Sequence, residues 1–87
     1  MKPKKLIKRL LAGHLQNVAF SDFVQLVEAI GYVQDHTRGS HRFFHHAALN
    51  EPLNLQERNG EAKPYQIRQV LKIIEKYRLI VVGGDEE

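Results

Sequence analysis

Chemistry-bearing side chains crowd into one short run, Thr37-Arg38-Gly39-Ser40-His41-Arg42-Phe43-Phe44. His41 carries an imidazole, a group that ordinarily titrates near neutrality, and Arg38 and Arg42 are permanent cations on either side of it. A proton-transfer group beside cations that can hold a phosphate is equipment for handling a phosphodiester. The same run also reads as plain structure. Gly39 can take positive φ and Ser40 can hydrogen-bond neighbouring backbone, which suits a tight connection between strands. A histidine leaving such a turn is an ordinary surface residue, and spacing alone leaves both readings open.

Other chemistries fit less well. Five histidines raise the question of a metal. In a strand, however, His41 and His45 stand roughly 13 Å apart, too far to share an ion, and His45 and His46 point to opposite faces. Without cysteine there is neither a disulfide nor a thiolate site. No acid stands at a telling distance from Ser40 and His41 for serine-hydrolase chemistry. No metal and no cofactor are expected.

The elements that must position His41 follow from periodicity. Residues 4–11 form a short basic amphipathic helix, with Leu6, Ile7, Leu10 and Leu11 on one stripe, Pro3 in its first turn and Gly13 as its stop. Its leucines dock on the domain and its lysines face water, since eight residues are too few to hold a helix alone. After a connector, Ser21 is read as the N-cap of a second helix. Phe23, Leu26, Val27 and Ile30 give that helix its buried face and Gly31 its end. A first strand covers about residues 32–35, with His36 at its fraying end, and the turn at 37–40 leads to a second strand at about 41–47. Leu53, Leu55 and Glu57 alternate with Asn54 and Gln56 as a third strand, with Pro52 at or just before its start. Asn59-Gly60 marks a turn. Pro64 opens a last helix that buries Ile67, Val70, Leu71 and Ile74, with Ile73 and Tyr77 beside them, and shows Arg68, Lys72 and Lys76 at i, i+4, i+8. Residues 79–82 are either a short strand or an extended tail on the core, and residues 83–87 are expected to be disordered.

Eighty-seven residues make one small domain, 43% hydrophobic, burying about 60% of its unfolded surface. The longest apolar run, Leu79 to Val82, is far below a membrane span, and no signal-peptide pattern follows the basic N-terminus. A soluble cytoplasmic protein is expected. The net charge is +3, and three of the ten acids, Asp85, Glu86 and Glu87, sit in the tail. The body before them is more basic still, which favours a polyanionic partner such as nucleic acid.

The expected architecture is α+β, a helix, a three-stranded antiparallel meander and a helix, with an extra N-terminal helix. Both amphipathic helices must cover one sheet face, leaving the other open for function. Alternation puts His41, Phe43 and His45 on one face and Arg42, Phe44 and His46 on the other. With Phe44 inward, the open face shows His41, Phe43 and His45 with Asn54 and Gln56, a surface fit for stacking on bases and binding a sugar-phosphate chain. With Phe43 inward, His41 goes under the helices.

This order of elements, a helix ending in Gly31-Tyr32, then Gly39-Ser40-His41 followed by Phe44, resembles the HicA toxins of bacterial type II toxin–antitoxin systems. The final helix, opened by Ala62-Lys63-Pro64-Tyr65-Gln66-Ile67-Arg68-Gln69, looks like a longer-chain subgroup of that family. The likeness spans about residues 21–79, leaving 1–20 as an N-terminal helical extension and 80–87 as a C-terminal tail. It implies a double-stranded-RNA-binding-domain-like fold and mRNA interferase activity, with His41 as the catalytic residue, Gly39 and Ser40 shaping its turn, and Phe44 inward. It implies a HicB-type antitoxin that covers the active surface. Gln34, where an apolar residue is common in the family, points to a looser first strand.

The leading expectation is therefore a metal-independent endoribonuclease. His41 moves the proton, Arg38, Arg42 and Lys63 are candidates to hold the phosphate, and either His45 or water is the second proton-transfer group. A non-catalytic RNA-binding module using the same face is the alternative, and a protein that only pairs with another protein is a third.

Overall fold

A computed structural model describes residues 1–82. Helix α1 spans Pro3–Leu11, with proline at its start where a missing N–H costs nothing. It buries Leu6 and Leu10 while its basic residues face outward, the docking expected of a helix too short to stand alone. The Met1 ammonium reaches the Asp22 carboxylate at 2.8 Å. Arg9 donates to the carbonyls of Gln16 and Asn17 at 2.6 and 3.3 Å, which ties down the connector.

Helix α2 runs Phe20–Ala29, two residues earlier than a Ser21 cap requires. Ala19 is the N-cap, and no side chain caps the helix. The start is set by the sheet instead: Phe20 N–H donates to Gly60 O at 2.9 Å, and Ala62 N–H to Val18 O at 2.8 Å. Backbone pairing of the connector thus outweighs the serine's local preference. Gly31 follows at φ 108°, and a Cβ there would overlap the His46 ring, so only glycine fits.

Strands β1 (Tyr32–Arg38), β2 (His41–His46) and β3 (Leu53–Arg58) form the antiparallel meander. A fourth strand of two residues, β4 (Glu61–Ala62), was not foreseen; Asn59 and Gly60, both at positive φ, turn the chain into it. Strand β1 reaches Arg38 instead of fraying at His36, because Thr37 and Arg38 pair with Arg42 and His41. Helix α3 covers Pro64–Tyr77 and ends on Arg78 in the left-handed region.

One core joins all layers. Phe44 is 1% exposed and lies with Leu53 and Leu55 beneath Phe23, Leu26 and Val27 of α2 and Ile67 and Val70 of α3. Each such side chain contributes about 1.5–3 kcal/mol on burial, so this row decides which way the sheet faces. Residues 79–82 form no strand. Leu79 and Val81 pack against the core in a segment without regular secondary structure, and Val82 N–H donates to Ala29 O at 3.2 Å. The expectation of disorder for residues 83–87 lies outside the described residues.

Candidate functional site

Because Phe44 is inward, the alternating residues His41, Phe43 and His45 stand on the uncovered face. Arg38 and His41 close a two-residue hairpin whose loop is Gly39-Ser40, with Gly39 at φ 60°. His41 is exposed at the start of β2, and its Nδ1 lies 3.0 Å from Asn54 Oδ1 on β3. Gln56 faces His41 across the strand pair. Its Nε2 donates to Ser40 Oγ at 2.6 Å, and its Oε1 accepts from Lys63 Nζ at 3.0 Å.

The fold therefore brings together five of the six residues singled out from sequence: Arg38, Gly39, Ser40 and His41 at the turn, and Lys63 tethered to it through Gln56. The sixth, Arg42, does not share this face. It pairs with Leu55 and sets its guanidinium 5.1 Å from the centre of the Phe20 ring, beside α2. The rule that puts His41 outward turns Arg42 inward.

The looser first strand expected from Gln34 takes the form of a β-bulge. The register shifts between Gln34 and His36, leaving Asp35 as the additional residue. His36 then lies opposite Phe43, with the two rings stacked at 4.6 Å and 11°. Asp35 Oδ1 lies in close hydrogen-bond contact with His45 Nδ1. His46, on the covered side, has both ring nitrogens committed. Nε2–H donates to Ile30 O at 2.9 Å and Nδ1 accepts from Ala48 N–H at 3.0 Å, so this histidine is structural. Among the described residues no three histidine or carboxylate side chains gather as a metal site.

Sequence reading missed Gln66, which is 4% exposed. Its Oε1 accepts from Gln56 N–H at 3.2 Å, and its Nε2 donates to Tyr65 Oη at 3.2 Å and more weakly to Asn54 O at 3.5 Å. The amide thereby stands in for a neighbouring strand along the open edge of β3. The signal was present: Gln66 shares the i, i+4, i+7 stripe of Val70 and Ile73. Asn54 and Gln56 were placed on the right face, but their hydrogen bonds depend on strand register.

Beside this face a groove of about 510 Å³ follows α3, lined by Tyr65, Arg68, Lys72 and Lys76 among others and flanked by Glu51. Tyr77 Oη donates to the Glu51 carboxylate at 2.7 Å and Lys76 Nζ at 3.2 Å. These bonds, the tyrosine's foremost, hold the Glu51 carboxyl below the usual carboxylate range, and contact with Glu51 raises Lys76. Burial, then the nearby Glu51 charge, pushes the Tyr32 phenol up.

The family model described as the HicA toxin of bacterial toxin–antitoxin systems matches residues 20–75. No curated protein and no solved structure matches the chain. The matched segment runs from the start of α2 through the Gly39-Ser40-His41 hairpin and most of α3, well over half of the molecule. Its helix–meander–helix order is that of a double-stranded-RNA-binding-domain-like fold. The chain belongs to the HicA toxin family, and as a toxin of such a system it has an antitoxin for a partner.

Proposed function

We propose that this toxin is an mRNA-cleaving endoribonuclease that works through His41 without a metal. The observation that carries the reading is the placement of His41: exposed on an open sheet face, held through Nδ1 by Asn54, and flanked by Arg38 and the Lys63–Gln56–Ser40 chain.

With Asn54 Oδ1 accepting from Nδ1–H, the His41 Nε2 lone pair is free to take a proton. It removes the proton of an RNA 2′-hydroxyl. The 2′ oxygen then attacks the adjacent phosphorus, the bond from phosphorus to the 5′ oxygen breaks, and that oxygen leaves with a proton from water or from the imidazolium. The products are a 2′,3′-cyclic phosphate and a 5′-hydroxyl. Proton transfer of this kind contributes typically ~10²–10⁴-fold. Arg38 and Lys63 neutralise charge developing on the phosphoryl oxygens, and the Phe43–His36 stack offers a surface for a base. Arg42, on the other face, has no part in this step. A HicB-type antitoxin covers the same face in the cytoplasm, where the mRNA is.

The test is His41→Ala. The fold persists to within about 0.5 kcal/mol, because the side chain is exposed. RNA binding persists because the cations remain, while cleavage is abolished. Wild-type cleavage continues in excess EDTA. Binding without cleavage in the wild type supports the non-catalytic alternative, and activity restored to an EDTA-treated sample only by a divalent ion overturns the mechanism.

A further inference from the structure

The basic groove on α3 has no part in the proton-transfer chemistry. We infer that it is the path by which a single RNA strand leaves the cleavage site, with its phosphates held by Arg68 and Lys72. This deepens the endoribonuclease reading and rests on it.

Five observations meet here. The groove is concave, about 510 Å³, and lies along one side of α3. Arg68, Lys72 and Lys76 recur at i, i+4, i+8, so the cations follow the helix as a row. Lys76 is engaged by Glu51, which leaves Arg68 and Lys72 as the cations of the row turned to an incoming anion. Glu51 in turn is held by Lys76 and Tyr77, so the one carboxylate lining the groove faces a cation instead of the ligand. Tyr65, 61% exposed, stands at the end nearest the site.

That end is joined to His41 by short links. Tyr65 Oη accepts from Gln66 Nε2 at 3.2 Å, Gln66 caps the β3 edge at Asn54 and Gln56, and Asn54 meets His41 at 3.0 Å. From Tyr65 to Lys76 the helix rises about 16 Å, enough for a few phosphates of one strand. The exposed tyrosine also decides the class of ligand. An acidic protein would use the cations, but a ring at the mouth, next to a surface that carries a stacked Phe43–His36 pair, suits a chain that alternates bases with phosphates.

The experiment measures binding of a single-stranded oligoribonucleotide across a salt series, in a His41→Ala background so that the RNA stays intact. Binding is read directly, so a chain that does not cleave RNA still reports on the groove. Arg68→Gln with Lys72→Gln lowers the slope of log K against log salt by about 1.4, at ~0.7 per phosphate contact on a single strand. The charge-matched pair Lys2→Gln and Lys5→Gln, at the start of α1, leaves the slope where it was. Tyr65→Leu weakens binding and Tyr65→Phe retains it. A groove variant with the parent's slope overturns the proposal. So does an equal fall in the control pair, which would make the effect one of net charge. A groove variant that binds RNA normally but loosens the antitoxin complex assigns the groove to a protein partner and also overturns it.

Discussion

His41 Nδ1 lies 3.0 Å from Asn54 Oδ1, so the imidazole is oriented by a side chain on the next strand and not by its neighbours in sequence. In the proposed mechanism the proton sits on Nδ1 and Nε2 acts as the base. Replacing Asn54 with Asp puts a carboxylate against the ring and favours the imidazolium. The ascending limb of the pH–rate profile then moves to higher pH, and ¹⁵N shifts of the His41 ring report the change without any substrate. Asn54→Ala leaves the ring unheld, lowers kcat, and gives a mixture of tautomers. An unchanged ring spectrum in both variants would remove Asn54 from the mechanism.

Gln66 closes the outer edge of β3 from inside the protein. Gln66→Leu keeps the volume approximately but leaves Gln56 N–H without its acceptor. The expected cost is about 1–3 kcal/mol, read from urea unfolding. Amide exchange at Gln56 accelerates more than at Arg42 or Leu55 in the paired interior. A variant as stable as the parent would mean that water replaces the amide there.

Gly31 combines φ 108° with close approach to His46. Gly31→Ala therefore meets both backbone strain and a clash with a ring held by Ile30 and Ala48. The loss exceeds about 1 kcal/mol, and thermal unfolding measures it. By contrast, Gly39, with open space where its Cβ would be, tolerates alanine with a smaller penalty from its φ of 60° alone.

Glu51 and Lys76 set a pH window. Glu51 has a lowered folded value, so its contribution is present above the ordinary carboxylate range and is lost as pH falls through that lowered value. Lys76 is raised, so its contribution is present below the ordinary lysine range and lost as pH rises through its folded value. Glu51→Gln accordingly lowers Tm at neutral pH, and the gap between variant and parent closes on acidification. A gap independent of pH would assign the effect to packing.

By itself the sequence determined the helices and the hairpin turn, and it singled out His41 as the residue to test. Leucine and isoleucine spacing marks α1, α2 and α3, and Gly39-Ser40 marks a reversal, because both signals are local and span a few turns of chain or less. Tertiary structure alone decided what His41 touches. Burial of Phe44, Leu53 and Leu55 under two helices turned His41 outward and Arg42 toward Phe20, settling a choice that alternation left open. Strand register then placed Asn54 and Gln56 within reach, and the bulge at Asp35 moved His36 onto Phe43. Backbone pairing of the connector with β4 began α2 at Phe20 in place of the Ser21 cap. Each of these outcomes depends on partners seven or more residues away in sequence, whose alignment is set by the packing of the whole core.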